Sequence, residues 1–316
     1  MNNIKVDRNL IPGDEWLYYK VYAGPKTSDS ILTDIIKPVT EKLLEEKIIK
    51  SWFFIRYTDP KHHLRLRFQV FDLKNIGEVI NRLYPYFKQL MNEDLIWKTQ
   101  IETYQRELER YGDNTMELSE EIFFHDSVCI VNFLDMIEGD EGEELRWLFS
   151  LRAMDRFLDT FAYSLEEKLS LLDRLKTGFG IEFGISRPLK KQLDDKYRAE
   201  SKKIERFMRL KNEDKSTFYP ILEILDQREF RIQPLALRIN GHKKRDGLKV
   251  RYNDLMASYL HMFMNRLFKS KNRLHELVCY DFLYRYYKSV VARKKYKKPN
   301  TSAKMVAHKM GVVKGN

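Results

Sequence analysis

The segment "HHLRLRFQVF", residues 62 to 71, carries basic side chains at every second position. His63, Arg65 and Arg67 alternate with apolar residues, as they do on a β-strand whose successive side chains point to opposite faces. Guanidinium groups bind carboxylates and other anions through charge-assisted, often bidentate hydrogen bonds. The spacing therefore predicts an anion-binding face opposite an apolar row formed by Leu64, Leu66, Phe68 and Val70. A solvated sheet face without a ligand is the alternative.

A second polar stripe lies in "RYNDLMASYLHMFMNRLF", residues 251 to 268. Asp254, Ser258, His261 and Asn265 recur at intervals of four, three and four residues, which places them on one side of an otherwise apolar helix. An imidazole exchanges protons near neutral pH, so His261 beside the arginine face would suit proton transfer to or from a carboxylate-bearing substrate. A buried histidine satisfied by Asn265 or Ser258 is the alternative.

Three further polar residues are expected beside the basic row. Arg56 ends the apolar segment "WFFIR", which precedes the turn "TDPK". Tyr104 and Arg106 continue the period-two pattern of "LIWKTQIETYQRE", residues 95 to 107, on the same side as Lys98, Gln100 and Glu102. The two strands are therefore predicted to present matching polar rows.

The elements that position these residues are readable from periodicity. An aromatic strand at 15 to 23 precedes a helix from residue 28 that Pro38 should kink, and a helix at 73 to 91 separates the hairpin from the last strand. This β-α-β-β-α-β order is that of the ferredoxin-like fold, a four-stranded antiparallel sheet with both helices on one face. The segments after Gly112 show helical spacing. We therefore predict an α+β fold in which a mostly helical C-terminal two thirds packs on the sheet.

Composition and charge limit the classes of function. The 316 residues carry a net charge of +11, but residues 288 to 316 hold nine Lys and Arg and no acidic residue. We predict one domain, residues 1–294, with the sheet in about 14–112 and helices in about 113–294, and a basic tail, 295–316, expected to be flexible. The tail leaves RNA binding open as an alternative.

Several kinds of site are not indicated. Cys129 and Cys279 lie in apolar helical segments and are expected to be buried thiols without a catalytic role. No phosphate loop, dinucleotide fingerprint, zinc ligand set or nucleophile elbow is present, so no metal or other cofactor is predicted. The sequence lacks a long apolar segment or signal peptide, and a cytoplasmic location is expected.

The quoted motifs resemble a known family. "WLYYKVY", "WFFIRYTDPKHHLRLRF", "ETYQRELERYG", "HDS" and "SYLHMFMNRL" are similar, in order and spacing over about residues 14 to 290, to the C-terminal domain of lantibiotic dehydratases and to stand-alone thiopeptide-type bacteriocin biosynthesis proteins. "RYGD" departs from the more usual RYGG-like ending, which affects no proposed catalytic group.

The resemblance implies an elimination-type lyase. Such domains remove glutamate from glutamylated Ser or Thr of a ribosomal precursor peptide, leaving dehydroalanine or dehydrobutyrine. The implied partners are that peptide, with its leader and core, and a separate protein that glutamylates it from glutamyl-tRNA; other biosynthetic enzymes are further candidates. A pyridine synthase that joins two dehydroalanines, and a non-catalytic module that binds the leader peptide at a sheet edge, remain alternatives.

Face alternation, the helix stripe and the resemblance together imply roles for individual residues. The expected catalytic residues are Arg67, Arg106 and His261, with the arginines holding the glutamate carboxylate and an enolate-like oxygen while His261 transfers the proton. Asp254, Ser258 and Asn265 are expected to orient His261. The expected substrate-binding residues are Arg56, His63, Arg65, Tyr104, Ser258 and Asn265.

Overall fold

A four-stranded antiparallel sheet lies in the first third of the chain. The computed structural model describes residues 6–184, 186–211 and 218–297. The strands are β1 (Asn9–Leu10), β2 (Trp16–Ala23), β3 (Ile49–Tyr57), β4 (His63–Val70), β5 (Ile96–Ile101) and β6 (Tyr104–Gln105). The main sheet has the order β5-β2-β4-β3, while β1 pairs with β6 in a separate two-stranded ladder.

Helices form most of the remaining described chain, so the predicted α+β class is confirmed. They are α1 (Pro25–Ser30), α2 (Lys37–Glu45), α3 (Ile76–Asn92), α4 (Leu108–Tyr111), α5 (Met116–Asp135), α6 (Gly139–Thr160), α7 (Leu165–Glu182), α8 (Arg187–Met208), α9 (Tyr219–Lys244), α10 (Tyr252–Leu267) and α11 (Asn272–Lys297). Within the described ranges, no helix is long and apolar enough to cross a membrane. The predicted tail lies outside these ranges from residue 298 onward.

The apolar row of β4 is the centre of the sheet's covered face. Leu64, Leu66 and Phe68 have no exposed surface, and Leu66 lies opposite Phe54 on β3 and Tyr19 on β2. Helices α2 and α3 pack on this side, where the ring of Tyr19 meets that of Phe87 at 5.8 Å. Alternation along "HLRLRFQV" thus produces the apolar face that the sequence predicts.

A π-helical turn, Ile31–Ile36, separates α1 from α2 immediately before Pro38. Proline has no backbone N–H to donate, and its ring clashes with the preceding turn of a regular α-helix. The wider π-helical turn accommodates the ring. The predicted irregularity at Pro38 is present. The buried side chains Ile31, Leu32 and Ile36 keep this segment packed against the sheet.

The outer edge of β3 is covered by side chains of two helices. The Phe54 N–H donates to Ser127 Oγ of α5 at 3.3 Å, and the Phe54 carbonyl accepts from Arg266 Nε of α10 at 2.8 Å. Two residues on, Asn265 accepts from the Arg56 N–H and donates to the Arg56 carbonyl, both at 2.9 Å. Side chains therefore replace the missing neighbouring strand along this edge.

Two expectations about position were wrong. His261 was expected beside the arginine face, but Asn265 and Arg266 attach α10 to the edge of β3. The last strand of the main sheet was expected to extend to Arg106, but β5 ends at Ile101, and Tyr104 pairs with Leu10 of β1. The polar row of β5 therefore does not continue in the same sheet to Tyr104 and Arg106.

Candidate active site

The basic row of β4 begins in a stack of rings. The His63 imidazole is fully buried, with the Tyr22 ring at 4.7 Å on one side and the Tyr57 ring at 5.6 Å on the other. Arg65 donates from Nε to His63 Nε2 at 3.2 Å and lies 3.6 Å over the Tyr57 ring. Burial lowers the pKa of His63. His63 thus packs as a neutral ring and positions the Arg65 guanidinium.

Arg67 lies deeper on the same face, inside a cluster of aromatic rings. Its guanidinium carbon lies 4.5 Å from the centres of the Tyr18 and Tyr104 rings and 5.1 Å from that of Phe53, and the residue is 7% exposed. Its Nε is buried without a hydrogen-bond acceptor, and none of the described carboxylates forms an ion pair with it. The ring faces stabilise the guanidinium cation, while its N–H groups can still donate hydrogen bonds to an anion.

Arg106 is already bound to a carboxylate. Its Nε and Nη2 donate to the two oxygens of Glu120 at 2.7 and 2.8 Å, and Tyr104 donates its hydroxyl to the same carboxylate at 2.8 Å. The side chains of Arg106 and Glu120 are both buried, at 3% and 5% exposure. Burial raises the pKa of Glu120, although Arg106 opposes that shift. Glu120 therefore binds both Arg106 and Tyr104, whose ring lies beside Arg67.

His261 lines a cavity of about 650 Å³ at the turn between β3 and β4. Its Nδ1 is 2.8 Å from Oε1 of Glu276 on α11, and its side chain is 28% exposed while that of Glu276 is fully buried. The lining residues come from the hairpin turn, the end of α7, α10 and the start of α11. They are Arg56, Tyr57, Thr58, Asp59, His62, Phe183, His261, Asn265, Lys269, Lys271, Asn272, Arg273 and Leu274.

Cations predominate on the wall formed by the loop from α10 to α11. Lys269 pairs with Glu143 at 2.6 Å, and Arg273 pairs with Glu182 while its Nη1 lies 3.6 Å from Glu276. Lys271 is exposed at the same wall. These side chains give the cavity a positive rim, although Lys269 and Arg273 are paired with the exposed Glu143 and Glu182.

His62 joins two parts of this cavity wall. Its Nδ1 lies 2.9 Å from the carbonyl oxygen of Ala23 on β2, and its Nε2 lies 3.2 Å from that of Lys269. Burial lowers the pKa of His62. The ring therefore connects the end of the sheet to the loop that carries the cations.

Arg56 does not stand behind Arg65 and Arg67 as expected. It lies opposite Leu64 in the β3–β4 ladder, so its side chain is on the apolar face, where Nη2 binds Asp29 at 2.6 Å. Asp29 also binds Arg146 at 2.9 Å. Burial alone would raise the pKa of Asp29, but the attraction of Arg56 and Arg146 outweighs it and holds the pKa below its usual value. Arg56 is thus neutralised beneath the cavity.

The polar stripe of α10 divides between two surroundings. His261 and Asn265 line the cavity, whereas Asp254 pairs with Arg174 of α7. Ser258 donates its hydroxyl to the Asp254 carbonyl of its own helix at 2.9 Å. The expectation that Asp254 and Ser258 orient His261 was wrong in geometry, because the first half of α10 lies against α7.

Glu276 is the site residue that sequence reasoning missed. It lies 15 positions after His261, across a loop, so no spacing on a single helix links the two. The available signal was a lone carboxylate in the segment "HELVCY", whose Leu277, Cys279 and Tyr280 are buried. An acidic residue among such neighbours requires a partner, and a nearby histidine was a candidate.

Solved structures support the fold at low sequence identity. The tRNA dependent lantibiotic dehydratase MibB from Microbispora sp. 107891 superposes with a TM-score of 0.68 at 18% identity, over 89% of this chain and 29% of that one. The pyridine synthase TbtD from thiomuracin biosynthesis superposes with a TM-score of 0.57 at 13% identity, over 85% of this chain and 97% of that one.

Sequence comparison identifies two relatives among characterised biosynthesis proteins. Subtilin biosynthesis protein SpaB of Bacillus subtilis is 27% identical over 286 residues, which are 86% of this chain and 25% of that protein. Nisin biosynthesis protein NisB of Lactococcus lactis subsp. lactis is 36% identical over 138 residues, 43% of this chain and 13% of that protein. The chain thus spans about a quarter of the length of SpaB. Since residues 16–287 match the family model described as lantibiotic biosynthesis dehydratase C-term, the chain belongs to that family.

Proposed function

We propose that the protein eliminates glutamate from glutamylated Ser or Thr residues of a ribosomal precursor peptide. The observation that carries this proposal is the His261 imidazole, which a buried carboxylate holds at the wall of a cationic cavity. The substrate combines a weakly acidic Cα proton with a leaving group that departs as a carboxylate. A proton acceptor next to cations matches both requirements.

The elimination step needs one base and a set of cations. His261 Nε2 takes the Cα proton, the C–H electron pair forms the Cα=Cβ bond, and the Cβ–O bond breaks with its electrons on the departing glutamate. Lys271 and Arg273 lie on the cavity wall where they would attract that carboxylate. The ester from glutamyl-tRNA would be supplied by a separate glutamylating protein, which we propose as the partner.

The basic row of β4 lies beside the cavity, and we propose that the peptide contacts it at Arg65, the partly exposed member, since His63 is fully buried and Arg67 is 7% exposed. Arg65 covers Tyr57, which lines the cavity, and Arg67 lies two residues further along the strand, about 7 Å away. Arg67 lacks a carboxylate partner among the described residues and is the proposed binder of an anionic or enolate-like oxygen. The Tyr104 ring packs against Arg67, and Glu120, which also binds Arg106, accepts from the Tyr104 hydroxyl.

Mass spectrometry of a synthetic glutamylated peptide tests the proposal. Incubation with the protein should remove the glutamyl group and leave a dehydroamino acid. His261→Ala should slow this conversion by about 10²- to 10⁴-fold, the contribution of a positioned base. Arg67→Ala should slow it by about 10²-fold, the range for loss of one oxyanion donor. His242→Ala, on α9 outside the cavity, is the matched control and should keep the normal rate; equal rates for His261→Ala and His242→Ala would refute the role of His261.

Pyridine synthesis is a second candidate, since the fold of this chain covers 97% of TbtD. A peptide rich in dehydroalanine would then be cyclised with loss of its leader, whereas the glutamylated peptide would remain unchanged. A non-catalytic module would bind the leader peptide without altering either peptide, and its affinity would not depend on His261. For tRNA binding by the tail, trimming residues 295–316 should reduce affinity and its dependence on salt.

A further inference from the structure

We infer that Glu276 is the positioning residue for His261, holding a proton on Nδ1 so that Nε2 presents a free lone pair to the cavity. The effect on turnover rests on the proposed elimination, whereas the effect on the imidazole does not.

Glu276 is a fully buried carboxylate whose described hydrogen-bond partner is the imidazole. Oε1 lies 2.8 Å from His261 Nδ1, while Oε2 is buried without a hydrogen bond, 3.6 Å from Arg273 Nη1. Its neighbours on α11 include the buried Cys279 and Tyr280. Removing a carboxylate from water is costly unless it is paired and hydrogen-bonded. The contact with His261 is therefore the interaction that most directly offsets that cost.

The hydrogen bond determines which ring nitrogen carries the proton. An ionised carboxylate can only accept, so Nδ1 of a neutral His261 must donate. Nε2 is then unprotonated, as a base that removes a Cα proton requires. When Nε2 has taken that proton, the resulting imidazolium lies beside the negative charge of Glu276, which stabilises it. The same contact thus supports the base before and after proton transfer.

The backbone around the pair keeps its geometry constant. Asn272 at the start of α11 donates from Nδ2 to the Asn265 carbonyl at 2.9 Å, which ties the first turn of α11 to the last turn of α10. Asn265 is in turn bound to both main-chain groups of Arg56. The carboxylate and the imidazole therefore lie on two helices that are connected to each other and to the sheet.

A purely structural ion pair is the competing explanation, because Glu276 could simply tie α11 to α10. Two variants separate the explanations. Glu276→Leu removes the acceptor but keeps a similar volume, and the partners it leaves, His261 and Arg273, are partly exposed, so neither is left as a fully buried unpaired charge. Glu276→Asp keeps the charge but withdraws it by one methylene group. Asp155→Asn is the control, since Asp155 is a largely buried carboxylate that accepts from Lys168 and Tyr287, both at 2.6 Å, outside the cavity.

Nitrogen-15 NMR of histidine-labelled protein gives the direct test. The His261 ring should be protonated at Nδ1 in the wild type and in Asp155→Asn, and predominantly at Nε2 in Glu276→Leu. An unchanged tautomer in Glu276→Leu would overturn the inference. Since this spectrum needs no substrate, a wild-type protein that shows the Nδ1–H tautomer yet leaves glutamylated peptide intact would refute the proposed function and not the positioning.

Turnover of the glutamylated peptide provides the second readout. Glu276→Leu should lower kcat by about 10²-fold with KM changed less than about threefold, and Glu276→Asp should recover part of that loss. Asp155→Asn should keep the wild-type kcat. A Glu276→Leu protein with normal kcat, or one that loses activity only in proportion to lost folded protein by circular dichroism, would show that Glu276 is structural.

Discussion

Asn265 should contribute to stability more strongly than a typical polar residue because it completes the edge of β3. In Asn265→Ala, the N–H and the carbonyl of Arg56 both lose their partners, each previously at 2.9 Å. A hydrogen bond contributes about 0.5 to 1.5 kcal/mol net, and a buried group left unpaired costs about 1 to 3 kcal/mol. Two such groups at a partly covered edge predict a loss of about 2 to 4 kcal/mol in the free energy of unfolding.

Urea unfolding followed by circular dichroism measures this loss. Asn265→Asp should fall between the wild type and Asn265→Ala, since a carboxylate still accepts from the Arg56 N–H but cannot donate to its carbonyl. Asn92→Ala, at the exposed end of α3, is the matched control and should change the free energy of unfolding by less than about 0.5 kcal/mol. An Asn265→Ala protein as stable as Asn92→Ala would refute the reasoning, and loss of turnover at full stability would assign Asn265 to substrate instead.

The remaining predictions concern buried charge and thiols. Arg106→Ala should lower the free energy of unfolding by about 3 to 5 kcal/mol because Glu120 is left buried and unpaired, and the double change to leucine at both positions should recover much of it in urea titrations. Burial raises the pKa of Asp126 from 3.8 to about 6. The folded state therefore binds more protons than the unfolded state between these pH values, so the free energy of unfolding should fall by about 3 kcal/mol as pH rises from 4 to 7. Asp126→Asn should remove this dependence. Equal pH profiles for the wild type and the variant would contradict the prediction. Burial raises the pKa of Cys129 and Cys279 to about 12, so Ellman's reagent at pH 8 should label neither thiol until the protein is unfolded, and rapid labelling of the native protein would show that they are accessible.

Local patterns were sufficient for the elements and for the two faces of β4. Alternation along a strand is set by the backbone itself, so Leu64 and Arg65 could be assigned to opposite faces without knowing their neighbours. The separation of the buried leucines from the basic side chains follows from that geometry. The α+β class follows likewise, because strand and helix periods alternate before Gly112 and helical spacing continues after it.

Pairing between distant segments could not be predicted in the same way. The side to which Arg56 points depends on the register of β3 against β4, and the hairpin turn alone leaves that register open. Tyr104 leaves the main sheet because Leu10 offers it a different partner, a two-residue strand with no periodic signature. Both errors arose from extending a local alternation beyond the point where another segment determines the pairing.

The errors about the candidate site have the same cause, since contacts between distant segments determine which residues meet there. The stripe on α10 correctly indicated His261 as a polar group of an apolar helix, but its neighbour Glu276 belongs to the next helix and its cations to the connecting loop. The periodicity of one helix predicts which of its own residues share a face, but it does not predict which residues of other elements lie opposite that face. The contact of Asp254 with Arg174 shows the converse, since a residue on the expected face meets a different neighbour.

The distance in sequence between β3 and the helix that covers its edge has a consequence for synthesis in the cell. Arg56 and Asn265 are 209 positions apart. At about 5 to 20 residues per second, a ribosome needs about 10 to 40 s to add the intervening chain. Throughout that interval the hairpin can form while its outer strand still offers unpaired N–H and carbonyl groups to any other nascent strand. The emerging chain is therefore prone to aggregation until the ribosome releases α10. Chaperones should bind it mainly during this interval.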